Sequence, residues 1–500
     1  MTPSLMTRWL FLFVCSWLCV PLAAQPSANK PPNFVLILID DLGWPSLSSY
    51  GNKHVTTRNI DRLAREGMRF TDAYVNAQCT PTRASLLTGQ HTARNGLWHV
   101  LPGHWAPYAR MTEPVYAKQL PRAAFTLGKG LQRASYATAA IGKWHLTTGA
   151  DGNYNELKAE AARYYGFDVV AKPTSNNEFA TGDKGVNRLT DEAIQFIEAN
   201  QHKPFFLYLA HHTTHNKLSA PADLVAKYRA KGYSETGFNN ATFLACLEHL
   251  DNSVGRLLDK LDALKLRDDT LVMFLTDNGG IDTQFDPKPF IENDAPPTNL
   301  KKLEEIFDHA PLRAGKGSLY EGGIRVPFIA RWPRRIKAGS INQTPVHAID
   351  LLPTLLELAG TAAPREQIVD GVSLAPLFEG RRLKTRALYW YAPLYDIRWA
   401  ALPASVIREG DYKLLWHYGD YISPDDGRHA YEIGERVELY NLRDDMGEQR
   451  NLAHAEPRRT QAMLQKLRDW HRRMGAEIPQ LNSHYDARRA LKESKERLKP

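Results

Sequence analysis

The run Asn33-Phe34-Val35-Leu36-Ile37-Leu38-Ile39-Asp40-Asp41 decides the architecture. Within it, Phe34–Ile39 is a nearly unbroken apolar run, which suits a strand covered on both faces, and such strands belong to parallel sheets flanked by helices. Similar runs stand at residues 137–141, 205–209, 271–275 and 326–330. Between them, residues 60–66, 189–199, 243–261 and 348–358 place apolar side chains at helical spacing. Gly67 is positioned to end the first of these helices and Gly360 the last. Alternation of this kind predicts an α/β fold whose parallel sheet carries helices on both faces.

The texture changes after Leu377. Residues 387–391, 405–416 and 437–442 read as strands joined by turns such as Glu409-Gly410-Asp411, and a charged amphipathic helix is expected over Pro457–Met474. The resulting expectation is a large domain at residues 30–380, a small α+β domain at 385–475 and a charged tail at 476–500. The tail is expected to be a solvated helix or a frayed end.

At the start, Arg8, the apolar run 9–20, Pro21 and the small pair Ala23-Ala24 read as a secretory signal over residues 1–24. The run is about 12 residues, short of the roughly 20 that a helix needs to cross a bilayer. A lipoprotein signal is the alternative because of Cys15 and Cys19, but Leu18 stands where such a signal has a small residue. The reading implies an exported protein, periplasmic or extracellular, with no membrane segment after processing. Loss of Arg8 lowers the net charge from +8 to +7. With a pI near 9.1 this suits an anionic substrate. Nucleic acid is not the expected partner, since no helix or ribbon gathers basic residues beside stacking aromatics. Only Cys79 and Cys246 remain in the processed chain, so there is no disulfide framework. Cys246 falls on the apolar face of a helix and reads as a core thiol.

Ligands of open α/β sheets bind beyond the carboxyl ends of the strands. Asp40 and Asp41 follow the first strand, Lys143 and His145 the second. His211, His212 and His215 follow the third, and Asp277 and Asn278 the fourth. One acid after a strand is commonly a cap or a turn; four such strand ends form a site. Asp40, Asp41, Asp277 and Asn278 are hard oxygen donors suited to calcium, or to magnesium with more water, whereas zinc takes more nitrogen or sulfur. In Cys79-Thr80-Pro81-Thr82-Arg83-Ala84-Ser85-Leu86-Leu87-Thr88-Gly89, Pro81 and Gly89 bracket a short helix. Cys79 then lies at the helix mouth, where the dipole and free amides favour an anion, and Arg83 shares its face. An activated thiol and a modified side chain both fit that position.

Cys79-x-Pro81-x-Arg83 followed by Ala84-Ser85-Leu86-Leu87-Thr88-Gly89 resembles the signature of type I sulfatases, members of the alkaline phosphatase superfamily. Asp40-Asp41, Gly142-Lys143-Trp144-His145, Thr276-Asp277-Asn278-Gly279 and Gly315-Lys316-Gly317-Ser318-Leu319-Tyr320-Glu321-Gly322-Gly323 resemble further family blocks, in family order. The resemblance implies a large mixed, mostly parallel sheet sandwiched by helices, with a small C-terminal α+β domain. It also implies oxidation of Cys79 to formylglycine by a formylglycine-generating enzyme, and hydrolysis of a sulfate ester by the hydrated aldehyde. Calcium would be held by Asp40, Asp41, Asp277, Asn278 and the modified Cys79. Lys143 and Lys316 would bind sulfate oxygens, and Arg83 would fix the hydrate. His145 would act as base with a pKa near neutrality. His215, preceded by Thr214 where the family has proline, would contact the leaving oxygen, with His212 as the fallback. The expected substrate is a sulfated carbohydrate. The alternatives are a phosphodiester or phosphonate monoester hydrolase of the same superfamily and an inactive carbohydrate-binding relative. Tyr389, Trp390, Tyr391, Tyr395 and Trp399 read as sheet core or as a sugar-stacking wall, with core favoured. The loops 97–110 and 281–306 are expected to shape the pocket.

Overall fold

The computed structural model describes residues 30–147, 155–172, 181–297, 300–423 and 429–494. The expected signal at residues 1–24 and the last six residues of the tail lie outside them. In chain order the strands are β1 (Asn33–Ile39), β2 (Met68–Tyr74), β3 (Ala137–Gly142), β4 (Val169–Val170), β5 (Phe205–Ala210) and β6 (Thr270–Thr276). A short ribbon, β7 (Thr283–Phe285) with β8 (Lys302–Glu305), precedes β9 (Arg325–Arg331), β10 (Ser340–Asn342) and β11 (Val346–His347). The central sheet has the order β10-β2-β9-β6-β1-β5-β3-β4, with β11 also on β2. Every pairing in it is parallel except those of β9, which runs antiparallel to β2 and β6. The sheet is therefore mixed and mostly parallel, as the resemblance implies.

All seven residues of β1 are buried. Their alternation divides them between two cores: Phe34, Leu36 and Leu38 face one side, Val35, Ile37 and Ile39 the other. The second side is covered by the helices Arg58–Glu66, Val186–Asn200, Ala222–Ala230 and Ala241–Ala263, and the first by Cys79–Thr88, Leu127–Arg133 and Leu351–Leu358. Cys246 is buried in the Ala241–Ala263 helix and its thiol meets the Ser219 carbonyl at 3.1 Å. Gly67 follows the Arg58–Glu66 helix but with φ −134°, outside the left-handed cap conformation. Its missing side chain has a tertiary cause, since a Cβ there would stand 2.3 Å from the Ala330 carbonyl oxygen of β9.

Toward the C-terminus, β12 (Ala387–Ala392), β13 (Ala404–Glu409), β14 (Tyr412–His417) and β17 (Arg436–Asn441) form an antiparallel sheet, beside a ribbon of β15 (Asp420–Ile422) and β16 (Tyr431–Ile433). Ile407, Leu414 and Leu439 share a core with Met463, Leu464 and Leu467 of the Pro457–Met474 helix and with the central sheet. The tail departs from its expected solvated or frayed form through residue 494. Ala490 and Leu491 are buried, Leu481 pairs with Met111, and Ser494 pairs with Trp105. Its few apolar residues suffice because they meet the 97–111 loop, a partner that local charge patterning does not reveal.

Candidate active site

The carboxyl ends of β1, β5, β3 and β6 bring the expected residues together. Past β1, the Asp40 amide donates to the Thr213 carbonyl and the Thr214 amide to Asp40. Asp41 turns into left-handed backbone, φ 61°, a conformation aspartate tolerates. Past β6, the Asp277 amide is still in register with the Ile39 carbonyl at 3.0 Å. Gly279 lets this strand end lie against the loop before β9, because a Cβ there would sit 1.8 Å from the Gly322 oxygen. The Lys316 amide in turn donates to the Gly280 carbonyl and that of Gly317 to Ala77, both at 2.8 Å. This places Lys316 between the end of β6 and the segment leading to Cys79.

Cys79 occupies the first turn of the Cys79–Thr88 helix, which Gly89 closes in left-handed backbone at φ 67°. All ten residues of that helix are buried although half are polar, and the hydroxyls are satisfied locally. Thr80 donates to the His145 carbonyl, Thr82 to that of Asn76 and Thr88 to that of Ala84. A polar helix held this tightly serves position more than packing.

Three buried carboxylates each meet a different cation. The Lys143 ammonium is 2.7 Å from Asp40 Oδ2, and that of Lys316 is 2.7 Å from Asp41 Oδ2. Arg83 contacts Asp277 Oδ2 through Nε at 2.8 Å and Nη2 at 2.7 Å, and donates to the Lys143 carbonyl at 2.7 Å. Burial pushes the Asp40 carboxyl up, but Lys143, His215, Arg83 and Lys316 together hold it well below the usual range. Burial and the charge of Asp40 push the Asp277 carboxyl up. Asn278 donates to Asp41 Oδ1 at 2.7 Å. Its own Oδ1, like Asp40 Oδ1, is buried without a hydrogen-bond donor. One ligand atom from each of Asp40, Cys79 and Asp277 fits within a 4.8 Å cluster, and so does one from each of Asp40, Asp41 and His215. Crowded carboxylates with unpartnered acceptor oxygens match a hard divalent cation, so the residues present fit calcium or magnesium.

His145, in left-handed backbone at φ 58°, stands with Nδ1 3.3 Å from Cys79 Sγ and Nε2 2.9 Å from the Leu101 carbonyl. A carbonyl accepts only, so Nε2 carries the hydrogen and Nδ1 aims a lone pair at residue 79. Its pKa departs from the expected near-neutral value. Burial, with Lys143 beside it, pulls the imidazole down to about 3. Of the histidine row, His211 is wholly buried with Nε2 3.4 Å from Ser253 Oγ, away from the carboxylates. His215 reaches them, with Nε2 3.8 Å from Asp41 Oδ2 and Nδ1 2.6 Å from the Asn216 carbonyl. His212 makes no such contact among the described residues.

Sequence reasoning missed several residues here. The buried Lys184 donates to the His215 and Lys217 carbonyls and so fixes the histidine loop. The Leu101 carbonyl sets the His145 tautomer, and a loop carbonyl leaves no mark in a sequence. Of the five aromatics left between core and wall, Trp390, Tyr391 and Tyr395 are buried, and Tyr389 stacks on Trp470 at 4.9 Å. Trp399 comes nearest the site, its ring 4.9 Å from Lys316 Nζ. It lines a cleft with Pro81, Lys316, Asp282 and Phe285, so the 281–306 loop does shape the pocket. Trp390 and Tyr391 border the same cleft from its buried side.

Comparison with known proteins agrees with this geometry. Residues 32–361 match the sulfatase family, and residues 314–474 match the C-terminal region of N-sulphoglucosamine sulphohydrolase. A sulfatase of Formosa agariphila is 32% identical across 92% of each chain. The N-acetylgalactosamine-6-sulfatase of Canis lupus familiaris is 30% identical over 77% of this chain and 72% of its own. The solved structure of Ps i-CgsB in complex with k-i-k-neocarrahexaose superposes with a TM-score of 0.68 at 25% identity, covering 88% of this chain and 93% of that one. Both curated relatives are sulfatases, which favours a sulfate ester over the phosphodiester or phosphonate alternative. The chain belongs to the sulfatase family and is a sulfuric ester hydrolase.

Proposed function

We propose that this enzyme removes sulfate from a carbohydrate, using the formylglycine form of Cys79 and a calcium ion held by Asp40, Asp41, Asp277, Asn278 and the modified residue 79. The observation that carries the reading is the placement of Cys79. It sits at a helix N-terminus within the Asp40 and Asp277 cluster, facing the His145 lone pair and flanked by two lysines. When bound, calcium lowers the pKa of a coordinated oxygen and polarises the sulfate. The remaining work falls to the chain. Arg83 orients Asp277 and shields the helix mouth. Lys143 and Lys316 bind the sulfate oxygens. His145, neutral at physiological pH, accepts a proton at Nδ1 from the group at residue 79. His215 donates its Nδ1 hydrogen to the Asn216 carbonyl, which fixes the ring where it contacts the leaving group. Lys316 remains charged, because Asp41 together with the other negative groups around it outweighs burial, and it is the group able to protonate the departing oxygen.

The carbohydrate assignment draws on the names of the relatives, which include an N-acetylgalactosamine-6-sulfatase and a protein solved with a neocarrahexaose. Trp399 beside Lys316 offers a face for a sugar ring. In this reading residues 30–380 form the catalytic domain and 385–475 a small domain walling the pocket. A formylglycine-generating enzyme matures residue 79, and the chain is exported after cleavage near residue 24. Among the described residues no helix is long and apolar enough to cross a membrane.

The test is the mass of the peptide carrying residue 79, from protein made with and without the maturation enzyme. Fully active protein with an unmodified thiol would refute the nucleophile. Cys79→Ala should abolish turnover of an aryl sulfate with the fold intact, and Cys79→Ser should do so in a host that converts only cysteine. Faster turnover of an aryl phosphate diester than of the aryl sulfate would refute the substrate class.

A further inference from the structure

Next to Trp399, which lines the cleft with Lys316, stands another cation that the sulfate chemistry leaves unused. Arg398 lies on the single-turn helix Ile397–Trp399. Its Nε and Nη2 each meet one oxygen of Asp396 at 2.7 Å. Asp396 is wholly buried and also accepts from the Gln78 amide nitrogen at 3.0 Å. Gln78 precedes Cys79, so the guanidinium is tied to the mouth of the catalytic helix, and Cys79 lies within its electrostatic reach. The next residue, Trp399, carries the ring that faces Lys316.

Asp396 occupies one edge of the guanidinium. Nη1 makes no hydrogen bond among the described residues, Glu493 lies within electrostatic reach of the guanidinium, and 26% of the side chain is exposed. A planar fork fixed on one edge and open on the other is suited to bidentate binding of an oxyanion. The turn beneath it is held from the tail, because the Ile397 amide donates to Glu493 Oε1 at 3.1 Å. Glu493 is brought there by the pairing of Ser494 with Trp105.

We propose that Arg398 binds a second anionic group of the saccharide, a carboxylate or a further sulfate, in a subsite adjoining the sulfate centre. Glu493 serves as the positioning residue of that subsite. The proposal rests on the sulfatase reading and narrows its substrate to polyanionic saccharides.

The matured enzyme, Arg398→Ala and the double variant Asp396→Asn/Arg398→Ala are compared on a monosulfated neutral hexosamine, a disulfated hexosamine and a sulfated hexuronate. The Kd of each sugar for the Cys79→Ala form of each protein is measured in parallel by calorimetry. The wild type should prefer one or both dianionic sugars, and the favoured arm identifies sulfate or carboxylate. Both variants should lose that preference by about tenfold or more, in KM and Kd. A wild type with no such preference, or variants that retain it, would overturn the subsite. So would a double variant that regains it, because the single variant's loss would then come from the unpaired Asp396. Absence of turnover on every sulfate ester would instead refute the sulfatase reading, and the Kd ratios would still decide the subsite.

Discussion

Replacing Arg83 by methionine removes the guanidinium but keeps much of its apolar stem. In the native chain both Arg83 and Asp277 are fully buried, joined by two contacts to one carboxylate oxygen at 2.7 and 2.8 Å. Without the guanidinium, Asp277 retains, among the described residues, only the Asp41 amide at 3.3 Å, and the Lys143 carbonyl loses its 2.7 Å donor. Breaking a buried ion pair from one side costs about 3–5 kcal/mol, and the stripped carbonyl adds about 1–3 kcal/mol where no water reaches it. Against a native stability of roughly 5–15 kcal/mol, this is a large share. Urea titrations of the wild type, Arg83→Met, Asp277→Asn and the double variant would measure it. Both single variants should lose about 3 kcal/mol or more. The double variant should fall well short of their sum, with a coupling of at least about 2 kcal/mol, because no charge is left buried alone. Calcium should restore part of the stability of Arg83→Met by giving Asp277 a counter-charge. A single variant within about 1 kcal/mol of wild type, or an additive double variant, would refute the reasoning.

Calcium should raise the Tm of the wild type in a concentration-dependent way, by the equivalent of about 2.7 kcal/mol at a hundred times Kd. A chelator should reverse the shift and Asp41→Asn should weaken it; a Tm indifferent to calcium would count against the oxygen cluster as a cation site. Burial and the neighbouring Asp396 raise the Glu493 carboxyl from 4.5 to about 7. Between those values the folded chain holds a proton that the unfolded chain has released, so stability falls as pH rises through this window. Glu493→Gln should therefore stabilise the protein above pH 7, by up to about 3 kcal/mol, and change little below pH 4.5; equal unfolding profiles for the two proteins would remove this account. In Gly279→Ala the new Cβ would meet the Gly322 oxygen at 1.8 Å. The strain should cost about 1–3 kcal/mol and lower kcat by displacing Lys316, and an unperturbed Tm with full activity would show that the loop tolerates the shift.

The parallel sheet was legible because its strands are covered on both faces. Such strands read as unbroken apolar runs, and β1, β5 and β6 extend the expected runs by only one residue at an end or at each end. Direction is a different matter: the run that forms β9 is as apolar as the others, yet β9 runs antiparallel to both its neighbours. Glycine was similarly ambiguous. Gly89 and Gly360 take left-handed backbone at helix ends, as a local pattern implies, whereas Gly67 is required by the approach of β9. Trp399 could not be separated from Trp390 and Tyr391 because an aromatic carries the same apolar signal in a core and on a cleft wall.

For the site, the strand ends identified the residue types but not their partners. The structure pairs Asp40 with Lys143, Asp41 with Lys316 and Asp277 with Arg83, so three negative and three positive charges balance. That balance explains how so many charges share a water-poor centre. It also sets what can be added. A divalent cation alone would leave two positive charges uncompensated; the single negative charge of a sulfate ester would offset one of them, and the dianion released by hydrolysis would offset both. Cation and anion are therefore favoured together. In the proposed reaction, carboxylates that turned to the cation would free their two lysines for the sulfate oxygens. In this way three ion pairs keep a catalytic site both stable when free and receptive when a sulfate ester arrives.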